Sequence, residues 1–306
     1  MHCKHDSKGR QMKVFYSPAY VGSSYSFDTT RKSKWIADSL LGAPIAGVEL
    51  VRPNPVSTSL IAQVHDEDYV RSVITGVPRE LAESQGFDWD EGLLPMVQAT
   101  NGGAVEAALA ALRGGVAGSL SSGLHHARRD QGAGFCTFNG LILASHAALD
   151  AGARNVLIVD LDAHCGGGTA SLIEDESRIW QVDVSVSMYD VYADTGRVKL
   201  TEVTDPDRYL AEISQALSRI ERLGPTFDLV LYNAGMDPFE GCSVGGLDGI
   251  TGEILAAREH AVFQWCRVRG IPVAFVLAGG YLGPRLEVNL LVDLHRSTVE
   301  AAAAIA

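Results

Sequence analysis

Three stretches of the chain, NVLIVDLD (155–162), FDLVLYNA (227–234) and IPVAFVLA (271–278), run apolar with scarcely a break. A strand with one wet face alternates apolar and polar residues. A run without that alternation is buried on both faces, as in the middle of a parallel sheet. Shorter β-rich runs occur at KVFYS (13–17), GVELV (47–51), AGSLSS (117–122) and WQVDVSV (180–186). Helical segments lie between them, near 31–41, 57–74, 93–113, 138–151, 168–176, 206–223, 251–269 and 284–304. Asp205-Pro206 opens one helix and Gly224-Pro225 closes it. Strand–helix alternation predicts one α/β domain with a mainly parallel sheet. The polar start MHCKHDSKGRQ (1–11) reads as a loose N-terminal tail. Arg31, Lys32 and Lys34 read as a solvated helix face.

Charge and cysteine usage exclude several functions. There are 37 acidic residues against 25 Lys plus Arg, a formal charge of −12. A broad basic surface for nucleic acid is therefore not expected, and a cationic substrate is compatible. Five cysteines (Cys3, Cys136, Cys165, Cys242 and Cys266) are an odd number and form no C-x-x-C pair. They predict neither a disulfide framework nor a structural zinc knuckle, and a reducing, cytoplasmic setting is expected. The start has no apolar core of a signal peptide, and no apolar run reaches about 18 residues, so no membrane partner is expected.

The chemistry gathers where apolar runs end. In VLIVDLDAHCGGGTA (156–170), Asp160, Asp162 and His164 are spaced by two and share one face of an extended segment. Ligand sites in open α/β sheets lie beyond the carboxyl ends of strands. Two buried carboxylates and an imidazole call for a cation, and mixed oxygen and nitrogen donors favour zinc. The bland alternative is a polar network at a strand end. In YNAGMDPFEG (232–241), Asp237 follows a second apolar run, as a third ligand or as an ordinary Asp-Pro turn. In SSGLHHARRDQGAGFCTFNG (121–140), adjacent His125 and His126 precede a Gly-rich loop; such a His can exchange the proton of a metal-bound water. In VAFVLAGGYLG (273–283), two glycines present Tyr281, whose hydroxyl can donate to a developing oxyanion.

Together these four ordered motifs resemble the zinc-dependent histone deacetylase family, most closely its bacterial and class IV-like branch, which includes acetoin-utilisation-type proteins. LIAQVHDEDYVRSV (60–73) resembles an early helix of that family, and the resemblance runs from about Val14 to Leu294. It implies the arginase–deacetylase fold: residues 12–306 as one catalytic domain, an about eight-stranded, mainly parallel sheet, and helices on both faces. It implies one catalytic Zn2+ on Asp162, His164 and Asp237. His126 would be the base and then the acid, His125 its electrostatic partner, and Asp160 the residue orienting His125. Tyr281 would polarise the scissile carbonyl. Phe135 and Tyr192 would wall the acyl tunnel, with Gly134 and Gly280 beside the substrate and Asp88 holding the substrate backbone at the rim. A K+ or Na+ ion would sit near Asp160 and Asp183.

Two departures stand out. Gly167 occupies the place where an Asp or Asn would hydrogen-bond the base, so His126 either lacks an orienting partner or borrows one. Cys165 replaces a His or Gln beside a ligand; it is a soft ligand, a redox-sensitive thiol, or a small residue facing away. The expected activity is hydrolysis of an N-acyl amine, either acyl-lysine in a peptide or a small acyl amide. The alternatives are an acetylpolyamine amidohydrolase and a catalytically weak acyl-amine-binding pseudoenzyme. A two-manganese ureohydrolase is disfavoured because Gly166 stands where a bridging Asp is required. Oligomeric state is not readable from the sequence.

Overall fold

The computed structural model describes residues 11–23 and 28–306. Residues 1–10 of the expected tail lie outside the described residues. Eight strands form one sheet: β1 (Met12–Phe15), β2 (Val48–Val51), β3 (Val116–Ser119), β4 (Val156–Asp160), β5 (Ile179–Ser185), β6 (Val198–Glu202), β7 (Leu229–Gly235) and β8 (Val273–Ala278). The order is β2-β1-β3-β8-β7-β4-β5-β6, and every pairing is parallel. The three long apolar runs became β4, β7 and β8, which lie side by side in the middle. Every residue of those three strands is buried. That outcome follows from their lack of a polar phase.

Two apolar layers sandwich the sheet. Helices 28–42, 209–223, 252–269 and 288–303 cover one face, where Phe263 and Phe275 meet edge to face. Helices 93–114 and 140–150 cover the other. The long helix 93–114 is rich in Ala and Gly, which lets it pack closely: a Cβ on Gly103 would fall 1.8 Å from the Tyr20 hydroxyl. Beneath the first layer, Arg258 is fully buried and balanced by Glu259, Tyr209 and the Leu161 carbonyl.

Several local expectations change. Strand β6 (VKLTE) was not among the expected strands; it is an edge strand with only one fully buried residue, so its apolar signal is weak. The helix expected over 57–74 is two pieces, 58–61 and 67–75, separated by a turn that carries His65. Lys32 is not solvated. It is 1% exposed, and its Nζ donates to the carbonyl and hydroxyl of Thr29; Arg31 and Lys34 stay at the surface, Lys34 paired with Asp38.

Candidate active site

The four central strands β3, β8, β7 and β4 are neighbours, and each delivers chemistry from its carboxyl end. After β3 come His125 and His126, after β8 Tyr281, after β7 Asp237, and after β4 Asp162 and His164. Parallel strands put all these ends on one edge of the sheet, so a single cleft collects them.

The turn after β4 is a staircase of carboxylate–backbone bonds. The Asp162 N–H donates to Asp160 Oδ1 at 3.2 Å, and the His164 N–H donates to Asp162 Oδ1 at 3.0 Å. The strand itself stops at Asp160, so these turns, rather than strand alternation, aim the three side chains. Asp160 faces His125, whereas Asp162 and His164 face Asp237. The ligand atoms of Asp162, His164 and Asp237 all lie within 4.8 Å of one another, and all three residues are buried. His164 Nδ1 is 3.1 Å from an oxygen of each carboxylate. Burial opposes a charge on His164, but its bonds to Asp162 and Asp237 push it up to about 11. The buried Asp237 Oδ2 makes no well-aligned hydrogen bond, although His164 Nδ1 lies 3.1 Å from it. Two buried carboxylates and an imidazole nitrogen aimed at one point are a donor set that fits a divalent cation. The protein packs tightly around it: Gly279 has φ +56°, and a Cβ there would be 2.2 Å from Asp237 Oδ1.

The histidine pair sits beside this cluster. His125 Nδ1 is 2.8 Å from Asp160 Oδ2, and its Nε2 is 3.1 Å from His126 Nε2. Burial opposes the charge on His125, but Asp160 and then Asp162 push it up to about 10. His126 moves the other way: burial, and then the charge on His125, bring it down to about 4. The network assigns a charged His125 that donates from both nitrogens and a neutral His126 that accepts at Nε2. His126 Nδ1 is 2.9 Å from Asp190 Oδ2.

The loop carrying this pair is tied down from two sides. His65 Nδ1 donates to the Arg128 carbonyl at 2.7 Å, and its Nε2 accepts the Asn139 N–H at 3.0 Å. Asn139 caps helix 140–150 with its side-chain oxygen and donates to the Ala127 carbonyl and to Thr169. His65, Asn139 and Asp190 were not among the expected site residues. His65 was visible only as part of the HDEDYV motif, and Asp190 carried no signal at all.

The cleft widens outward into an apolar mouth lined by Phe135, Tyr189, Val244 and Tyr281. Phe135 has φ +65° and stacks on Phe87 at 5.6 Å. Tyr281 lies across from it, with ring centroids 6.2 Å apart, and burial pushes the Tyr281 hydroxyl far above its ordinary value. An inner chamber behind the cluster is lined by Tyr20, Ser33, Ser121 and Leu124.

Two expected substrate contacts are placed differently. Tyr192 does not line the mouth; its hydroxyl donates to Asp183 at 3.2 Å beneath the strand ends. Tyr189, three residues earlier, stands there instead, with its ring edge-to-face to His126 at 5.0 Å and to His164 at 5.9 Å. The turn geometry of 186–190 swaps them, and no periodicity in the sequence reports it. Gly280 faces away from the cleft, because a Cβ there would meet Leu291 at 2.5 Å. Gly134 does press on the site, with its missing Cβ 2.4 Å from the His126 ring. Asp88 is exposed on the loop next to Phe87. Cys165 is buried, with its Sγ near the Ser187 carbonyl, on the side away from the ligand cluster.

Comparison with known proteins agrees with this geometry. Residues 27–291 match the histone deacetylase domain. An uncharacterised protein of Picosynechococcus is 32% identical over 240 residues, 76% of this chain and 79% of that protein. Histone deacetylase 2 of Arabidopsis thaliana is 29% identical, over 89% of this chain and 75% of its own. Human histone deacetylase 1 is 24% identical; the match spans 52% of its length. Among solved structures, an acetylpolyamine aminohydrolase from Burkholderia pseudomallei superposes with a TM-score of 0.79 at 18% identity, covering 96% of this chain and 99% of that one.

Proposed function

The chain belongs to the histone deacetylase family, and from that membership we propose that it hydrolyses an N-acyl amine to a carboxylate and a free amine, using a zinc ion. The observation that carries this reading is the meeting of a buried Asp162–His164–Asp237 cluster with a neutral His126 and a protonated Tyr281 at the floor of one apolar cleft. A zinc ion on the three ligands would polarise the amide carbonyl and bring the pKa of water to about 7.

The remaining chemistry belongs to the side chains. His126 is neutral near pH 7, and its Nε2, which accepts the His125 Nε2–H here, takes the proton of the attacking water by exchanging that bond for one to the water. His125 stays charged against Asp160 and stabilises the negative charge that develops. The Tyr281 hydroxyl remains protonated, donates to the carbonyl oxygen and strengthens that bond as the oxygen becomes anionic. His126 then returns its proton to the departing nitrogen. The mouth of Phe135, Tyr189 and Val244 suits an aliphatic stem, such as the methylenes of an acyl-lysine, that excludes water from the cleft. This favours acyl-lysine or a small apolar amide over an acetylpolyamine, whose further ammonium groups would need carboxylates at the mouth.

A monovalent cation, K+ or Na+, near Asp160 and Asp183 is a further proposal. The two are register partners on β4 and β5 and both are fully buried. Burial and then Asp160 push Asp183 up to about 8, so a proton or a cation must balance the pair.

The test is hydrolysis of acetyl-lysine peptides, longer-acyl peptides and acetylpolyamines by zinc-loaded protein, with Tyr281→Phe alongside. Losing the hydroxyl should lower kcat by about 100- to 1,000-fold. No turnover by the wild type on any of these substrates would defeat the reading.

A further inference from the structure

A neutral histidine can act as a base only at the nitrogen that does not carry the proton. His126 works through Nε2, so its Nδ1 must hold the proton and the ring must not turn. We propose that Asp190 is the positioning residue that imposes both conditions. The inference rests on the hydrolase reading above, but its structural half can be measured without catalysis.

Asp190 lies 64 residues from His126 in sequence, in the loop after β5. Its Oδ2 accepts from His126 Nδ1 at 2.9 Å and from the Gly168 N–H at 3.1 Å. Its Oδ1 takes the Arg128 guanidinium, so both oxygens are engaged. The Asp190 side chain is 9% exposed. Its backbone has φ +61°, a left-handed conformation that Asp tolerates and that a bulky residue at this position would not. Against the effect of burial, the bond from His126 and the neighbouring charges of His126 and Arg128 hold its carboxyl below the usual range. An ionised carboxylate has no proton to donate, so the His126–Asp190 bond requires the proton on Nδ1.

Gly167 is the other half of the device. A Cβ at 167 would fall 2.3 Å from the Asp190 carbonyl oxygen and 2.5 Å from its Oδ1. A side chain at 167 and Asp190 in its present place exclude each other. The chain therefore supplies the orienting carboxylate from the 186–190 loop rather than from the turn after His164. The Arg128 clamp belongs to the same loop as His126, so base and orienter are held against each other from both sides.

The test uses zinc-loaded wild type, Asp190→Asn and Asp190→Ala, each labelled with 15N-histidine. Two-bond 15N–1H spectra should show His126 as the Nδ1–H tautomer in the wild type and a mixture, or the Nε2–H form, in both variants. Asp190→Asn keeps an acceptor for the Gly168 N–H and guards against simple misfolding. kcat should fall by about 10- to 100-fold with little change in KM, and formate should partly restore Asp190→Ala by refilling the carboxylate site. An unchanged His126 tautomer in both variants, or unchanged kcat in a variant whose tautomer has moved, overturns the proposal. If the wild type turns over no substrate, the hydrolase reading fails, and the tautomer measurement alone decides the role of Asp190.

Discussion

Lowering the pH from 7 to 5 should cost the fold about 2 kcal/mol through His65 alone. His65 is 1% exposed, and burial brings its pKa from 6.5 down to about 4. In the native state it stays neutral, because Nε2 must accept the Asn139 N–H while Nδ1 donates to the Arg128 carbonyl. Between pH 6.5 and 4 the unfolded chain therefore binds a proton that the native chain refuses. Stability rises with pH across that window; it is fully present above the unfolded value and is lost as the pH falls towards 4. At about 1.4 kcal/mol per pKa unit the whole shift amounts to about 3 kcal/mol, of which about 2 kcal/mol is spent by pH 5. Urea unfolding followed by the fluorescence of the four tryptophans, at pH 7 and pH 5, measures the loss. Other groups also titrate in this range, so the comparison is with His65→Gln. That variant should be less stable at pH 7, and its own loss between the two pH values should be smaller by about 2 kcal/mol. Equal pH dependence in wild type and variant would refute the argument that burial holds His65 neutral.

Removing divalent cations with a chelator should lower Tm, because the buried Asp162 and Asp237 are left with histidine charges alone, His164 between them and His125 beside Asp162, in place of a divalent ion. Zinc at about 100 times its Kd should return about 2.7 kcal/mol; an unchanged Tm would argue that no cation belongs there. Gly167→Asn should not supply a spare orienter. Its Cβ must push the Asp190 backbone away, which should cost about 1–3 kcal/mol and lower kcat, read by denaturation and by turnover. A fully stable, fully active variant would show that the loop yields without consequence.

Most of the candidate site was legible because it is written locally. Asp162, His164, Asp237, His125, His126 and Tyr281 each follow an apolar run within a few residues, so finding the strand nearly finds the site. The mouth and the supports were not legible. The family resemblance assigned Tyr192 to the tunnel wall, yet the aperiodic turn at 186–190 hands that place to Tyr189. His65 and Asn139 hold the histidine loop through backbone atoms, which no residue-type pattern advertises.

The sequence by itself determined the parallel α/β layout and the chemistry at the ends of β3, β4, β7 and β8. Apolar periodicity and strand-end residue types are properties of short segments, and burial converts them into structure wherever they occur. Only the tertiary structure decided which carboxylate serves His126. That choice depends on the distance between two loops 64 residues apart and on the space left by Gly167, and packing sets both.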